Sequence, residues 1–258
     1  MTKNLVKLTI VGAVAIFAAA QAHATLVASD DFNAYSNGPL VGNGPSAWVA
    51  HSGTTANNVL NQQDVVTSAN SQDVNLGLTG SPHSTDALYA GFDVNQTTAT
   101  AASPSYFAHF KDASTFNFFG RVWVTNAGPG LVSFGIANGG GVPVFGSAVA
   151  TGTWNRLVLV VDQTGASMAS SLYLGPINDP NIGDFTLVAA TDIPTQTNVL
   201  LSAFALRQAS ASVGAGTELI DNLLVGTTFA DSVVPEPSTV ALVGAGVLGL
   251  FAIRRRRS

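Results

Sequence analysis

Hydrolysis of a glycosidic bond needs two carboxyl groups astride it, one protonated and one ionised. The chain is poor in such groups. Between Asp30 and Val233 it has one glutamate, Glu218, and no acidic pair at alternate strand positions facing a common cleft. Pairs of aspartates stay open as an alternative. Three histidines, His51, His83 and His109, lie far apart in the sequence, without the His-x-x-x-His or His-Glu spacing that holds zinc. Each reads as a surface residue or a satisfied structural one. The absence of cysteine removes thiolate nucleophiles and cysteine-ligated zinc together, and no Gly-x-Ser-x-Gly elbow occurs. The expectation is a protein without catalytic activity.

Flat aromatic faces are the other chemistry on offer, because an indole presents a large apolar plane on which a sugar ring stacks. The tryptophans are Trp48, Trp123 and Trp154. Trp154 opens a strongly apolar run and reads as a core residue. Trp48, between Gly44-Pro45-Ser46 and His51, is the candidate glycan contact.

Charge narrows the partners. Of ten Lys and Arg, six sit at the ends, and from Leu8 to Ile253 there are four positive and fifteen negative residues, a net of −11. The four are Lys111, Arg121, Arg156 and Arg207. Nucleic acid and anionic leaflets are recognised by clustered cations that displace counterions, so neither is an expected partner of this segment.

The first residues, with Lys3 and Lys7, are followed by thirteen uncharged residues from Leu8 to Ala20 and by Ala22-His23-Ala24. This order is that of a secretory signal, with cleavage between Ala24 and Thr25. The apolar run is shorter than the roughly 20 residues of a membrane span, which disfavours a permanent anchor.

At the other end Val234-Pro235-Glu236-Pro237-Ser238 precedes an apolar run from Val240 to Ile253, then Arg254, Arg255, Arg256 and Arg257. The two prolines keep the strip around Glu236 extended and open to a protease. Fourteen residues, Val240 to Ile253, make a helix of about 21 Å, short of the roughly 30 Å hydrocarbon core. The arginines act as a stop that leaves this end cytoplasmic. Within the run, Gly244 to Gly249 fits G-x-G-x-x-G, but the chain ends nine residues later, without the strand, helix and acidic ligand that a dinucleotide site requires.

The tail resembles the PEP-CTERM sorting signal. The resemblance implies removal by an exosortase-type membrane protease, with the inner membrane as a transient partner. It covers about the last 25 residues. The expected division is a signal peptide at 1–24, one domain at 25–232, and a sorting tail with a short transmembrane helix at 233–258.

In the middle, short apolar bursts alternate with Gly, Asn, Asp, Ser and Pro, the punctuation of an all-β domain. Expected strands run over 87–94, 106–111, 116–125, 131–137, 142–149, 154–162, 170–174, 185–189, 199–207 and 218–225. Asn37-Gly38, Asn43-Gly44 and Asn138-Gly139 mark turns. In 116–125 the alternation places Phe116, Phe118, Gly120, Val122 and Val124 on the greasier face, opposite Asn117, Phe119, Arg121, Trp123 and Thr125. The run Trp154 to Asp162 is nearly continuous grease, as in a strand covered on both sides.

The succession of Phe118 to Val124, the strand from Trp154, the hairpin strand ending in Leu172-Tyr173-Leu174-Gly175 and the closing Leu219 to Gly226 resembles a laminin-G or concanavalin-like jelly roll. The resemblance implies a two-sheet antiparallel sandwich, flanked by a signal helix and a C-terminal hydrophobic helix, with the closing strand beside the first, 26–32. An immunoglobulin-like sandwich is the alternative, and the Glu-x-Asp-x-x-Glu pattern of jelly-roll glycosidases is missing. Adjacent first and last strands in such folds bring acidic side chains together, which would place Asp30, Asp31 and Asp221 around a structural Ca²⁺. Solvated strand-end aspartates are the plainer reading, with no cofactor.

These readings converge on an exported surface or matrix protein whose sandwich contacts exopolysaccharide or other matrix components. A lectin-like module of defined glycan specificity and a polysaccharide-active enzyme are the alternatives.

Overall fold

The computed structural model describes residues 26–98, 103–138, 141–179, 181–190, 196–208 and 216–233. The signal and cleavage residues Ala22, Ala24 and Thr25, the motif Val234 to Ser238, the arginines 254–257 and both expected helices lie outside the described residues. Among the described residues no helix is long and apolar enough to cross a membrane.

In chain order the strands are β1 (Leu26–Asp30), β2 (Gly38–Pro39), β3 (Val49–Ser52), β4 (Asn58–Leu60), β5 (Gln63–Thr67), β6 (Asp73–Gly77), β7 (Ala87–Thr98) and β8 (Ser105–Lys111). Then follow β9 (Phe118–Gly128), β10 (Leu131–Ala137), β11 (Val144–Ala150), β12 (Trp154–Asp162), β13 (Ala169–Gly175), β14 (Thr186–Ala190), β15 (Ala203–Leu206) and β16 (Thr217–Gly226). Nine of them form one sheet in the order β14-β13-β12-β7-β16-β5-β4-β2, with β1 also on β16. The other seven run β11-β10-β9-β8-β15-β6-β3. The fold is a nearly all-β antiparallel sandwich of jelly-roll type, and its strand number exceeds the seven to nine of an immunoglobulin domain. The closing strand lies beside the first, with Ser29 opposite Leu224.

The two inner faces share one core. Phe92 of one sheet meets Phe107 and Phe204 of the other, at ring separations of 6.2 and 5.7 Å. Each fully buried ring of this kind contributes about 1.5–3 kcal/mol relative to exposure. The continuous grease of β12 has the expected cause. Leu157, Leu159 and Val161 face the common core, while Val158 and Val160 join a second cluster on the opposite side with Phe185 and Val233.

That second cluster is covered by the chain after β16. Phe229 packs edge-on against Tyr89, Tyr173 and Phe185, and a short 3₁₀ turn, Ala230–Ser232, follows. Gly91 is required beneath it, because a Cβ there would stand 1.6 Å from the Ser232 carbonyl oxygen.

In β9 the simple alternation fails. Gly120 adopts φ +57, which a side chain disfavours, and an added Cβ would also lie 2.7 Å from Val161. The left-handed residue shifts the parity, so Phe119, Val122 and Val124 enter the core while Phe118 turns to the outer face. Phe116 lies outside the strand and is 76 % exposed.

Gly38, read as a turn, instead pairs with Val59 in a two-residue edge strand. Gly44 keeps its turn, at φ +57. Strands β5 and β6 have no counterpart in the sequence reading: Asp64 holds an inward position in β5, and β6 is short, with Val74 and Leu76 inward and Asp73 on the opposite face.

Candidate functional site

The outer face of the seven-stranded sheet gathers the side chains best suited to ligand contact. Tyr106 and His109 on β8 and Phe118, Arg121 and Trp123 on β9 point away from the core, whose inner positions are taken by Phe107, Phe110, Val122 and Val124. Tyr106 stands opposite Trp123 across the ladder, with ring centroids 5.2 Å apart. The Arg121 guanidinium lies over both rings, at 5.0 Å from Tyr106 and 5.5 Å from Trp123. Arg207, just past β15, places its guanidinium 4.1 Å from the Tyr106 ring centroid and donates to the Tyr106 carbonyl at 3.3 Å.

Beside this group, His109 packs 4.3 Å from Phe118 and 6.3 Å from His51, which comes from the far edge strand β3. Strands β15 and β6 separate those two histidines, a span of about 14 Å at ordinary strand spacing. Their rings meet because the face curls inward over Ala205, a small residue paired with both His109 and Asn75. The sequence separation of the histidines thus concealed a contact.

The electrostatics are unusual. His109 is fully buried and neither ring nitrogen has a hydrogen-bond partner. Burial, and then the positive charges of His51, Arg207, Arg121 and Lys111, hold its pKa well below 6.5, so it is neutral. Burial also lowers His51, against the pull of Asp73. Lys111, whose amine donates to the Asp112 carbonyl at 2.8 Å, is lowered by burial as well. Arg121 Nε and Trp123 Nε1 are further donors without partners. The Arg121-x-Trp123 alternation was visible in the sequence as a mixed face; its meeting with Tyr106, His109 and Arg207 was not.

Trp48 does not fit its expected role. It is 2 % exposed, its ring stacks on Phe32 at 6.1 Å, and its Nε1 donates to Asp30 Oδ2 at 2.7 Å. Its apolar neighbours and this bond bury it, so it offers no face to a sugar. Trp154, expected in the core, is half-buried at the head of β12.

The calcium reading does not fit either. Asp30 accepts from the Phe32 N–H through Oδ1 and from Tyr35 and Trp48 through Oδ2, which occupies the carboxylate with protein donors. Asp31 is exposed and accepts from the Asn33 N–H. Asp221 is pushed up to about 6 by burial and by the charges of Asp93, Asp31 and Asp30, a sign of proximity without ligation. Among the described residues no group of three or more His, Cys, Asp or Glu can hold a metal ion.

Glu218 is wholly buried, and burial raises its pKa well above 4.5, so it is held protonated in the folded chain. His83, bonded to Asp86 at 2.6 Å and to the Thr79 carbonyl at 3.1 Å, is a satisfied structural histidine.

Residues 233–257 match the PEP-CTERM protein-sorting motif. The tail is therefore the sorting address of an exported surface protein. No curated protein matches the chain. Among solved structures, the chain is similar to a sialidase at 12 % identity and a TM-score of 0.53, over 80 % of this chain and 19 % of that one. It thus spans about a fifth of that enzyme's length. It is also similar to the CBM2 module of the Lactobacillus casei BL23 phage J-1 evolved Dit, at 11 % identity and a TM-score of 0.51, over 78 % of this chain and 95 % of that module. At such identities the likeness establishes the sandwich fold alone.

Proposed function

We propose that the chain is an exported, non-catalytic surface protein whose sandwich contacts exopolysaccharide or another matrix component through the outer face of its seven-stranded sheet. In this reading residues 1–24 are a cleaved signal, 25–232 are the binding body, and 233–258 are removed by an exosortase-type protease after transient residence in the inner membrane. One observation carries the binding assignment: Tyr106 and Trp123 stand side by side on the outer face, ring centroids 5.2 Å apart, with the Arg121 guanidinium over both. Aromatic planes beside a guanidinium suit sugar rings, which present apolar C–H faces and hydroxyl acceptors.

The likeness to a module named CBM2 supports the same reading. The burial of Glu218 supports a binding role over hydrolysis, since the body's single glutamate is withdrawn from solvent.

The test is binding of the mature protein to a panel of bacterial exopolysaccharides, with and without chelator. Binding is expected to be indifferent to chelator and to weaken by about tenfold in Trp123→Ala, the loss of one stacking contact. An unaltered affinity in that variant removes this face from the account. Release of reducing ends or unsaturated sugars during the assay would replace binding with catalysis.

A further inference from the structure

The few cations of the body are distributed with a bias that points to the class of ligand. Between Lys7 and Arg254 the chain has four: Lys111, Arg121, Arg156 and Arg207. Arg156 is consumed internally. Its guanidinium pairs with Asp93 at 2.8 Å and donates to the carbonyls of Asn222 and Ser232. The other three all lie around Tyr106 and His109 on the outer face of β8, β9 and β15.

None of these three forms an ion pair. Among the described residues the ion pairs are Arg156 with Asp93 and His83 with Asp86. The carboxylates nearest the cluster are engaged elsewhere. Asp73 accepts from Ser52 and from the Gln208 N–H, and Asp112 accepts from Ser114 and Asn117. No carboxylate comes within ion-pair distance of these three, although Asp73 acts on Arg207 and Asp112 on Lys111 at longer range; the cations are grouped with only that distant compensation, next to a histidine kept neutral by burial and then by their charges.

Such an arrangement costs stability through like-charge repulsion, offset only in part by the aromatic rings beneath the guanidinium groups and by the carbonyls of Tyr106 and Asp112. It gains from an incoming anion. Both guanidinium groups lie on aromatic rings, which restricts their rotamers and holds the planar fork ready for a planar, two-oxygen acceptor. A sugar chain with one carboxylate per residue presents its charge beside apolar ring faces that fit Tyr106 and Trp123.

We infer that the face selects a carboxylate-bearing polysaccharide, a polyuronate, with Arg121 and Arg207 receiving the carboxylate and Tyr106 and Trp123 receiving the ring. This rests on the polysaccharide reading above and adds the charge of the ligand to it.

The experiment uses the mature exported protein and three probes: polygalacturonate, the same polymer fully methyl-esterified, and dextran. Titration calorimetry at low salt and at high salt reads the affinities. Polygalacturonate is expected to bind, its ester and dextran to bind at least tenfold more weakly, and salt to weaken the first selectively. Arg121→Gln and Arg207→Gln are each expected to cost about tenfold toward polygalacturonate while leaving thermal unfolding within a few degrees of the parent. Arg207→Lys keeps the charge and loses the fork, and is expected to fall between parent and Gln. Equal binding of acid and ester overturns the carboxylate assignment and leaves the polysaccharide reading standing. Binding to none of the three probes, nor to the exopolysaccharide panel, overturns both.

Discussion

Arg156 donates from Nε to the carbonyl of Ser232 at 2.9 Å, so a residue in the middle of the nine-stranded sheet holds the chain one position before the sorting motif begins. The same guanidinium pairs with Asp93 and caps the Asn222 carbonyl at the β16 bulge. Val233, the first residue of the matched motif, is 2 % exposed in the cluster with Val158 and Phe185. The folded body therefore extends right up to its processing address.

Removing the clasp should be costly and should change how the chain is cut. Arg156→Ala leaves Asp93 buried without its partner and is expected to lose about 3–5 kcal/mol in denaturant unfolding. Gly91→Ala places a methyl group where the Ser232 carbonyl lies and should release the segment with β7 still formed. Limited proteolysis followed by intact-mass measurement would then show cuts between Thr227 and Val233 that the parent resists. Equal resistance in Gly91→Ala would mean that the segment does not depend on that contact.

Two tryptophans should behave in opposite ways. Trp48→Ala empties a buried site and removes one of three donors to the Asp30 carboxylate, with an expected loss of about 3–5 kcal/mol and no separate effect on ligand affinity in the folded fraction. Trp123→Ala removes a half-buried ring from the outer face and should cost stability by no more than about 1–2 kcal/mol while weakening polysaccharide binding. Chemical unfolding and calorimetry on the same preparations separate the two.

Asp64 predicts a pH dependence. It is wholly buried beside Asn57, and burial pushes its pKa from 3.8 up to about 8. The folded chain keeps a proton that the unfolded chain releases. The resulting stability is complete below about pH 4 and is lost as pH rises to about 8. Glu218 acts in the same sense. His109, lowered below 6.5, acts in the opposite sense, because the unfolded imidazole takes up a proton in acid that the folded one refuses. Above about pH 7.5, a unit beyond the free imidazole's value, the histidine is neutral in nearly all molecules of both states, so melting temperature is expected to fall from there through pH 8 as the Asp64 contribution is lost. Asp64→Asn should flatten the fall and melt higher than the parent at pH 8; an unchanged slope would contradict the buried, protonated assignment.

Gly120 sets the parity of β9. Gly120→Ala meets both a disfavoured φ and Val161, and is expected to cost about 1–3 kcal/mol. Because the bulge delivers Phe118 to the outer face and Phe119 to the core, the variant should also disturb packing at His109. Comparison of its His109 imidazole signals with the parent by NMR would show this, and identical signals would argue against the coupling.

Much of the fold was legible from residue pattern. β10 and β12 begin and end where the alternation of apolar and polar residues said they would, and the double-sided grease of β12 correctly implied cover on both faces. What escaped were β5, where the buried carboxylate of Asp64 takes an inward slot that pattern reading assigns to the outside, and β6, whose inward pair Val74 and Leu76 is too short an alternation to stand out. Trp48 was misjudged for a related reason. Flanking glycine, proline and serine signal an exposed loop, whereas a single acceptor, Asp30, draws the indole inward.

The sequence by itself determined the sorting motif at 233–257, because a Pro-Glu-Pro, apolar, arginine finish is a linear signal whose reading needs no neighbours in space. It also determined the all-β class, because the two-residue period is local. The proposed binding face was decided only by tertiary structure. Tyr106, His109, Arg121, Trp123, Arg207 and His51 come from four separate stretches of chain, and a left-handed glycine, an alanine floor and strand pairings across the sheet place them together. Contacts of that kind depend on register and curvature, which no local window of residues contains.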